Sequence, residues 1–259
     1  MKLFFVVFAR DANHVFEKIH ELDRLNVPYK IICGEKVDHE KVVYRAAKGK
    51  YDAIDFSLSI IPTDVDAVVM NDVDTRIHNF DVALRCLDNK KVGLVFAKDD
   101  VKTGPQALFH QLLFSILRVF PILANGDLMI IRRNLLEQIS FRPCKAEDTY
   151  ILFKVLGLGY DAVFSEECYV ETEKTTNEKE EELYKRRTVA GIYQAMSYVK
   201  PPFKIRLFYL SLPFLSPLLL ILGKKGYYWT RGILLGFFDY IRGDKTGAWQ
   251  PTASPQRNT

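Results

Sequence analysis

Val68-Val69-Met70-Asn71-Asp72-Val73-Asp74 reads as an apolar strand that ends in two carboxylates one residue apart. A short continuous apolar run suits a strand buried on both faces of a sheet. Upstream, Leu3 to Ala9 is another such run, His14 to Leu25 sets Val15, Phe16, Ile19, Leu22 and Leu25 at helical spacing, and Tyr29 to Cys33 is a second short strand. A helical stretch from Ala53 to Ile61, stopped by Pro62, leads into the strand Ala67 to Met70, and a helix near Phe80 to Leu87 and the strand Val92 to Ala97 follow it. Strands alternating with helices predict an α/β fold with a Rossmann-like, doubly wound, mainly parallel sheet.

Beyond Gly104 and Pro105 the pattern gives an apolar helix through Phe120, a strand around Leu128 to Ile131, a helix from about Arg133, and a helix from Glu147 to Leu158 closed by Gly157 and Gly159. Glu171 to Glu182 is acidic and predicts a solvated loop running into a helix that carries Lys185 to Gln194. From Pro201 the character changes: Leu207 to Gly223 holds no charged residue, and Tyr227 to Ile241 is rich in aromatics. The expected organisation is a catalytic domain over 1–199, a membrane-associated helical region over 200–243 and a disordered tail over 244–259.

The net charge of +4 conceals an asymmetry. From Lys185 onward there are 12 Lys/Arg against 2 Asp/Glu, which leaves +10 there and −6 on the rest. A basic segment beside an apolar run points to anionic membrane lipid and away from nucleic acid. Cys33, Cys86, Cys144 and Cys168 form no CxxC pair, so buried free thiols are expected, without a zinc site or a disulfide framework. The N-terminal apolar stretch is too short to span a bilayer and lacks a cleavage-site pattern, which leaves the catalytic part cytoplasmic. No GxGxxG follows a strand, and the five histidines show no metal-ligand spacing.

In open α/β sheets ligands bind beyond the carboxyl ends of the strands, which is where Asp72 and Asp74 lie. Two such carboxylates suit a hard divalent cation that also takes diphosphate oxygens. Asp64 and Asp66 have the same spacing but precede the strand, on the opposite edge of the sheet, and read as a solvated loop. Taken alone, Glu147-Asp148-Thr149 reads first as the acidic N-terminal turn of a helix, where acids complement the macrodipole.

Three further blocks accompany the acidic strand end: Lys48-Gly49-Lys50-Tyr51-Asp52-Ala53-Ile54-Asp55, Ala124-Asn125-Gly126-Asp127-Leu128-Met129-Ile130-Ile131-Arg132-Arg133, and Ala146-Glu147-Asp148-Thr149. In this order they resemble family 2 glycosyltransferases with the GT-A fold, over Lys2 to Gly191. The resemblance implies that Asp74 is a ligand of Mg2+ or Mn2+ and that Asp72 lies near the metal or the ribose. It implies that Asp148, beside Glu147, is the catalytic base, that Lys50 borders the nucleotide and that Asn125 and Gly126 border the acceptor. Tyr184-Lys185-Arg186-Arg187-Thr188 corresponds to a Gln-x-x-Arg-Trp block of processive members and makes Arg187 a donor contact; Tyr184 and Thr188 depart from that block, which speaks against processive synthesis. Phe8-Ala9-Arg10-Asp11-Ala12 stands where the family has Pro-x-Arg-Asn-Glu, and Cys33-Gly34-Glu35 where it has an acidic pair before Gly-Ser, so Ala9, Arg10 and Glu35 are donor-side candidates.

The expected activity is therefore inverting, nonprocessive transfer from a UDP- or GDP-sugar to a lipid-linked or glycan acceptor. A metal held by Asp72 and Asp74 meets the charge growing on the leaving diphosphate, Arg186 or Arg187 assists, and Asp148 takes the acceptor proton. A nucleotidyltransferase would carry a Gly-rich phosphate loop near the first strand, which this sequence lacks. An inactive relative serving as a membrane scaffold or sugar-binding module is the alternative that the altered blocks after strands one and two suggest. For the C-terminal region the expectation is a shallow or re-entrant element with both ends cytoplasmic, because Pro213 and Pro217 interrupt the uncharged run and basic residues flank both its ends.

Overall fold

The computed structural model describes residues 1–100, 106–172 and 177–243. The sheet and its flanking helices are built from β1 (Leu3–Ala9), α1 (Val15–Leu25), β2 (Tyr29–Cys33), β3 (Val42–Tyr44), α2 (Lys50–Ser57), β4 (Ala67–Asp72), β5 (Arg76–His78), α3 (Phe80–Cys86), β6 (Val92–Asp100), α4 (Gln106–Leu117), β7 (Leu128–Arg132), α5 (Arg133–Leu136), α6 (Glu147–Gly157) and β8 (Asp161–Glu171). After them come α7 (Glu178–Tyr198), α8 (Phe203–Leu215), a 3-10 segment Ser216–Leu222 and α9 (Lys224–Ile241).

The described strands form one sheet in the order β3-β2-β1-β4-β7-β6-β8-β5. Strand β1 runs parallel to β2 and β4, β2 to β3, and β6 to β8, whereas β7 is antiparallel to both β4 and β6, and β5 to β8. The sheet is thus mixed: six of the eight described strands run one way, and β7 and β5 run against them. The inversion of β7 has a direct consequence. Its first residues lie on the edge where β1, β2 and β4 end, so Asn125, Gly126 and Asp127 arrive beside Asp72.

Alternate residues of the central strands face two separate cores. Phe4, Val6, Phe8, Val68, Met70, Leu94, Phe96, Met129 and Ile131 pack with α6, α7 and α8. On the other face Phe5, Val7, Val69, Val95 and Ile130 pack with α1 and α3. A strand buried on both faces needs apolar residues throughout, which is why β1 and β4 read as unbroken runs.

Several boundaries differ from the expectation. Helix α2 opens at Lys50 and ends at Ser57, with turns instead of helix before Pro62. The strands β3, β5 and β8 carry no clear pattern: two have three residues each, and Ser165-Glu166-Glu167 interrupts the third, which shifts register against β6 between Ala97 and Lys98. The acidic segment is not fully solvated. Asn177 caps α7 by accepting from the Lys179 N–H, and Glu181 and Glu182 are buried, Glu181 3.3 Å from Lys185 and Glu182 3.5 Å from Arg231. All four cysteines are free thiols; Cys33, Cys144 and Cys168 are buried as expected, whereas Cys86, at the end of α3, is only partly so. Gly104, Pro105 and the tail at 244–259 lie outside the described residues.

Beyond α7 the chain folds back as a helical hairpin. Helix α8 is sewn to the hydrophobic core by Ile205 and Tyr209; the Tyr209 hydroxyl donates to the Ile122 carbonyl at 3.0 Å, and the Tyr193 hydroxyl donates to the Tyr209 carbonyl at 2.6 Å. Helix α9 lies on α7 at backbone contact, since a Cβ on Gly232 or Gly236 would meet the Glu182 and Arg186 carbonyl oxygens within 3 Å. Trp229 is fully buried there, which corrects its expected place among interfacial aromatics. The opposite face of α8 is also apolar yet uncovered: Phe203, Leu207, Leu210 and Phe214, at helical spacing, are exposed, and Leu218 and Ile221 of the 3-10 segment continue it. Phe203–Leu222 is long and apolar enough to cross a membrane, with 22% of its most apolar stretch buried against the protein.

Candidate active site

The Asp72 end of β4 is held from below by a buried lysine. Lys18 of α1 donates to the Asn71 side-chain oxygen at 2.9 Å and to the Thr75 carbonyl at 2.5 Å, and pairs with Glu21 at 2.7 Å. Asn71 in turn donates to the Asp127 carbonyl at 2.7 Å, and Thr75 to the Asp72 carbonyl at 2.8 Å. Four hydrogen bonds therefore fix the turn that carries Asp72 and Asp74 and tie it to the start of β7. Burial lowers the proton affinity of Lys18, and Glu21, Asp74 and Asp72 oppose that effect in part.

Above this turn, Lys50 occupies the centre of the site. Its Nζ lies 2.5 Å from Asp72 Oδ1 and donates to the Gly126 carbonyl at 2.9 Å. Glu147 and Asp127 add to its field, so that although desolvation pushes its proton affinity down, the surrounding carboxylates raise it overall. Gly126 leaves little room at that point: a Cβ would stand 3.2 Å from both Lys50 Nζ and Asp148 Oδ2, so one of them would have to shift. The acidic strand end and the acidic helix start are thus brought together through one ammonium and one glycine.

Glu147 and Asp148 form the first turn of α6. Asp148 Oδ1 accepts from the Thr149 N–H at 2.6 Å. Desolvation raises the pKa of both acids; Asp148 adds to the effect on Glu147, Lys50 and Arg187 oppose it, and Glu147 is pushed up to about 7. Asp72 is pushed up to about 6, again by desolvation first, with Lys50 opposing and Asp127 and Asp74 assisting. The edge is therefore rich in carboxylates that would gain from a further cation.

The remaining sequence candidates divide. Arg187 acts electrostatically on Glu147 and Asp148, whereas Arg186 is turned away into a bidentate pair with Asp239 of α9, at 2.5 and 2.8 Å. Ala9 is buried at the end of β1 and Arg10 is exposed next to it. Glu35 accepts from the Ala12 N–H at 3.0 Å and joins the loops after β1 and β2 at that same edge. Asn125 donates to Asp99 and to the Ala97 carbonyl. Asp64 and Asp66 lie on the far edge, bonded to Lys2, as expected for a surface loop. Asp127, Lys18, Asn71 and Asp99 were missed by sequence reasoning; recognising Asp127 needed the antiparallel direction of β7, which apolar patterning does not show.

Asp72 and Asp74 put two carboxylates on one turn, and among the described residues no group of three His, Cys, Asp or Glu side chains converges as a complete metal cage. Such a pair fits a divalent ion that completes its shell with ligand oxygens and water. Beside the site, Asp99, His110, Phe114, Arg118 and Glu166 line a polar cavity of about 350 Å3.

The mixed sheet, with an acidic turn after β4, an antiparallel β7 and an acidic helix start at α6, is the GT-A glycosyltransferase fold. Among solved structures the chain is similar to a mannosyltransferase from Pyrobaculum calidifontis in complex with GDP-Man and Mn2+, at 17% identity and a TM-score of 0.69 over 93% of this chain and 87% of that one. It is also similar to glucosyl-3-phosphoglycerate synthase of M. tuberculosis, at 18% identity and a TM-score of 0.55 over 78% of this chain and 81% of that one. No family model matches the sequence, and no curated protein matches it.

Proposed function

We propose that the protein is an inverting, nonprocessive glycosyltransferase that moves one sugar from a UDP- or GDP-linked donor to a hydroxyl of a lipid-linked or membrane-proximal glycan acceptor. The observation that carries this reading is the convergence of Asp72, Asp127, Glu147 and Asp148 on Lys50, at the edge where the parallel strands end. The likeness in fold to a mannosyltransferase solved with GDP-Man and Mn2+ supports a nucleotide-sugar donor.

In this reading Asp74 and Asp72 hold Mg2+ or Mn2+, which when bound neutralises charge on the departing diphosphate. Lys50 and Arg187 face the diphosphate, while Ala9, Arg10 and Glu35 border the nucleoside. Asn125 and Gly126 border the acceptor, with the cavity beside Asp99 as the route towards them. Asp148 takes the hydroxyl proton as the acceptor oxygen attacks the anomeric carbon. With a single base and direct displacement, the bond to the diphosphate breaks on the side opposite the new bond, and the configuration inverts. Asp148 meets the requirement for such a base: it lies at the site's centre and its raised proton affinity strengthens it as an acceptor.

The exposed stripe Phe203, Leu207, Leu210, Phe214 and Ile221 supports a membrane-lying hairpin, with Lys200, Lys204, Arg206, Lys224 and Lys225 exposed for anionic headgroups. Ile205 and Tyr209 bind the other face of α8 to the core, which argues against lipid surrounding that helix on all sides. With basic residues at both ends, the positive-inside rule favours a cytoplasmic location. The test is nucleoside diphosphate release with Mn2+ across UDP- and GDP-sugars, with and without a membrane lipid extract as acceptor. Release from one donor, stimulated by the extract, is expected. No release from any donor would favour an inactive scaffold.

A further inference from the structure

We propose that Lys50 is a tethered cation: it holds the place of the divalent ion in the donor-free protein and passes to the donor's diphosphate when metal and donor bind together. This rests on the donor reading above. Lys50 Nζ contacts Asp72 Oδ1 at 2.5 Å, and both side chains are partly open to solvent, at 20% and 27% exposure. Its second partner is the Gly126 carbonyl at 2.9 Å, and a methyl group on Gly126 would touch both the ammonium and Asp148. Asp127, Glu147 and Asp148 surround the same point. One monovalent charge therefore partly balances a group of carboxylates that includes a metal-binding acid.

A metal ion arriving alone must share Asp72 with an ammonium at contact distance, and in this partly buried place the repulsion between a divalent and a monovalent cation is screened less than at an open surface. A diphosphate changes the balance, because its oxygens accept both the ion and the lysine. Metal and nucleotide then favour each other, and by linkage the effect is reciprocal. A lysine on a flexible four-carbon stem suits this transfer better than a rigid guanidinium fork. A purely structural Lys50 would make a different pattern, since it would stay on Asp72 in every state.

The test is Mn2+ binding to the full chain, read from the free-ion paramagnetic resonance signal, and binding of GDP or UDP without metal by calorimetry. Wild-type protein should bind Mn2+ alone only weakly. Lys50→Met should bind Mn2+ alone at least about tenfold more tightly and the nucleotide alone at least about tenfold more weakly, opposite changes that partial unfolding does not produce. Two results overturn the proposal: wild-type protein that binds Mn2+ alone as tightly as in the presence of nucleotide, or a Lys50→Met protein with wild-type thermal stability and unchanged Mn2+ affinity. The first needs no variant. Failure of wild-type protein to bind either nucleotide with Mn2+ would instead remove the donor reading on which the proposal rests.

Discussion

Replacing Glu147 with Gln should make the ligand-free protein more stable at alkaline pH and leave it nearly unchanged at pH 5. Glu147 is pushed from an ordinary value of 4.5 up to about 7, chiefly because burial disfavours its charged form, with Asp148 adding repulsion. The folded state therefore holds this proton more tightly than the unfolded state does. For a carboxyl raised in this way, the stabilising contribution is complete below about 4.5 and is lost as pH rises through about 7. At about 1.4 kcal/mol per tenfold change in proton affinity, the loss is on the order of 3 kcal/mol. Partial solvent access and easier ionisation of Asp148 beside a neutral Gln reduce the net gain to about 1–3 kcal/mol at pH 8.5. Urea unfolding of both proteins at pH 5 and 8.5, with metal and nucleotide absent, measures the difference. Parallel pH dependences of wild type and variant would refute the reasoning, because they would mean that Glu147 ionises freely in the folded protein.

Asp74→Ala, and less severely Asp72→Ala, should remove Mn2+-dependent binding of GDP or UDP, since each takes a ligand from a site with few protein ligands; calorimetry checks this, and unchanged affinity in both would exclude the metal assignment. Asp148→Asn should keep donor binding and lower turnover by about 10²-fold or more if the acceptor is a hydroxyl, in line with the usual worth of a general base. Wild-type turnover in that variant would point to an acceptor already ionised, such as a phosphate. Phe214→Ser combined with Ile221→Ser, at side chains 80% and 86% exposed, should release the protein from vesicles containing anionic lipid without lowering its unfolding temperature. Flotation measures the first effect and thermal unfolding the second; undiminished flotation would contradict the membrane-lying hairpin.

The central strands were legible because they are buried on both faces: β1 and β4 must be continuously apolar, and their carboxyl ends point to the site. Asp72, Asp148, Lys50 and Gly126 could be picked out from their blocks, yet their convergence could not. It depends on β7 running antiparallel, and three-residue or interrupted strands such as β5 and β8 give no periodic signal. Lys18 was invisible for another reason. On the sequence it is an ordinary charged position of an amphipathic helix, and only packing against the turn after β4 shows that it is buried. In the C-terminal region composition showed an apolar element but not its two faces. Trp229 lies on α9 three residues before Gly232, where the helix approaches α7 at backbone contact, and that approach depends on the partner helix as well as on the local run.

The central claim is that the edge formed by Asp72, Asp74, Lys50 and Asp148 is a nucleotide-sugar donor site. A crystal structure with GDP or UDP and Mn2+, the ion located by its anomalous scattering, tests this most directly. Mn2+ is expected on Asp74 and the diphosphate, with Lys50 turned from Asp72 to a phosphate oxygen and the nucleoside between the ends of β1 and β2. Nucleotide bound elsewhere, or an ion away from both aspartates, would contradict it.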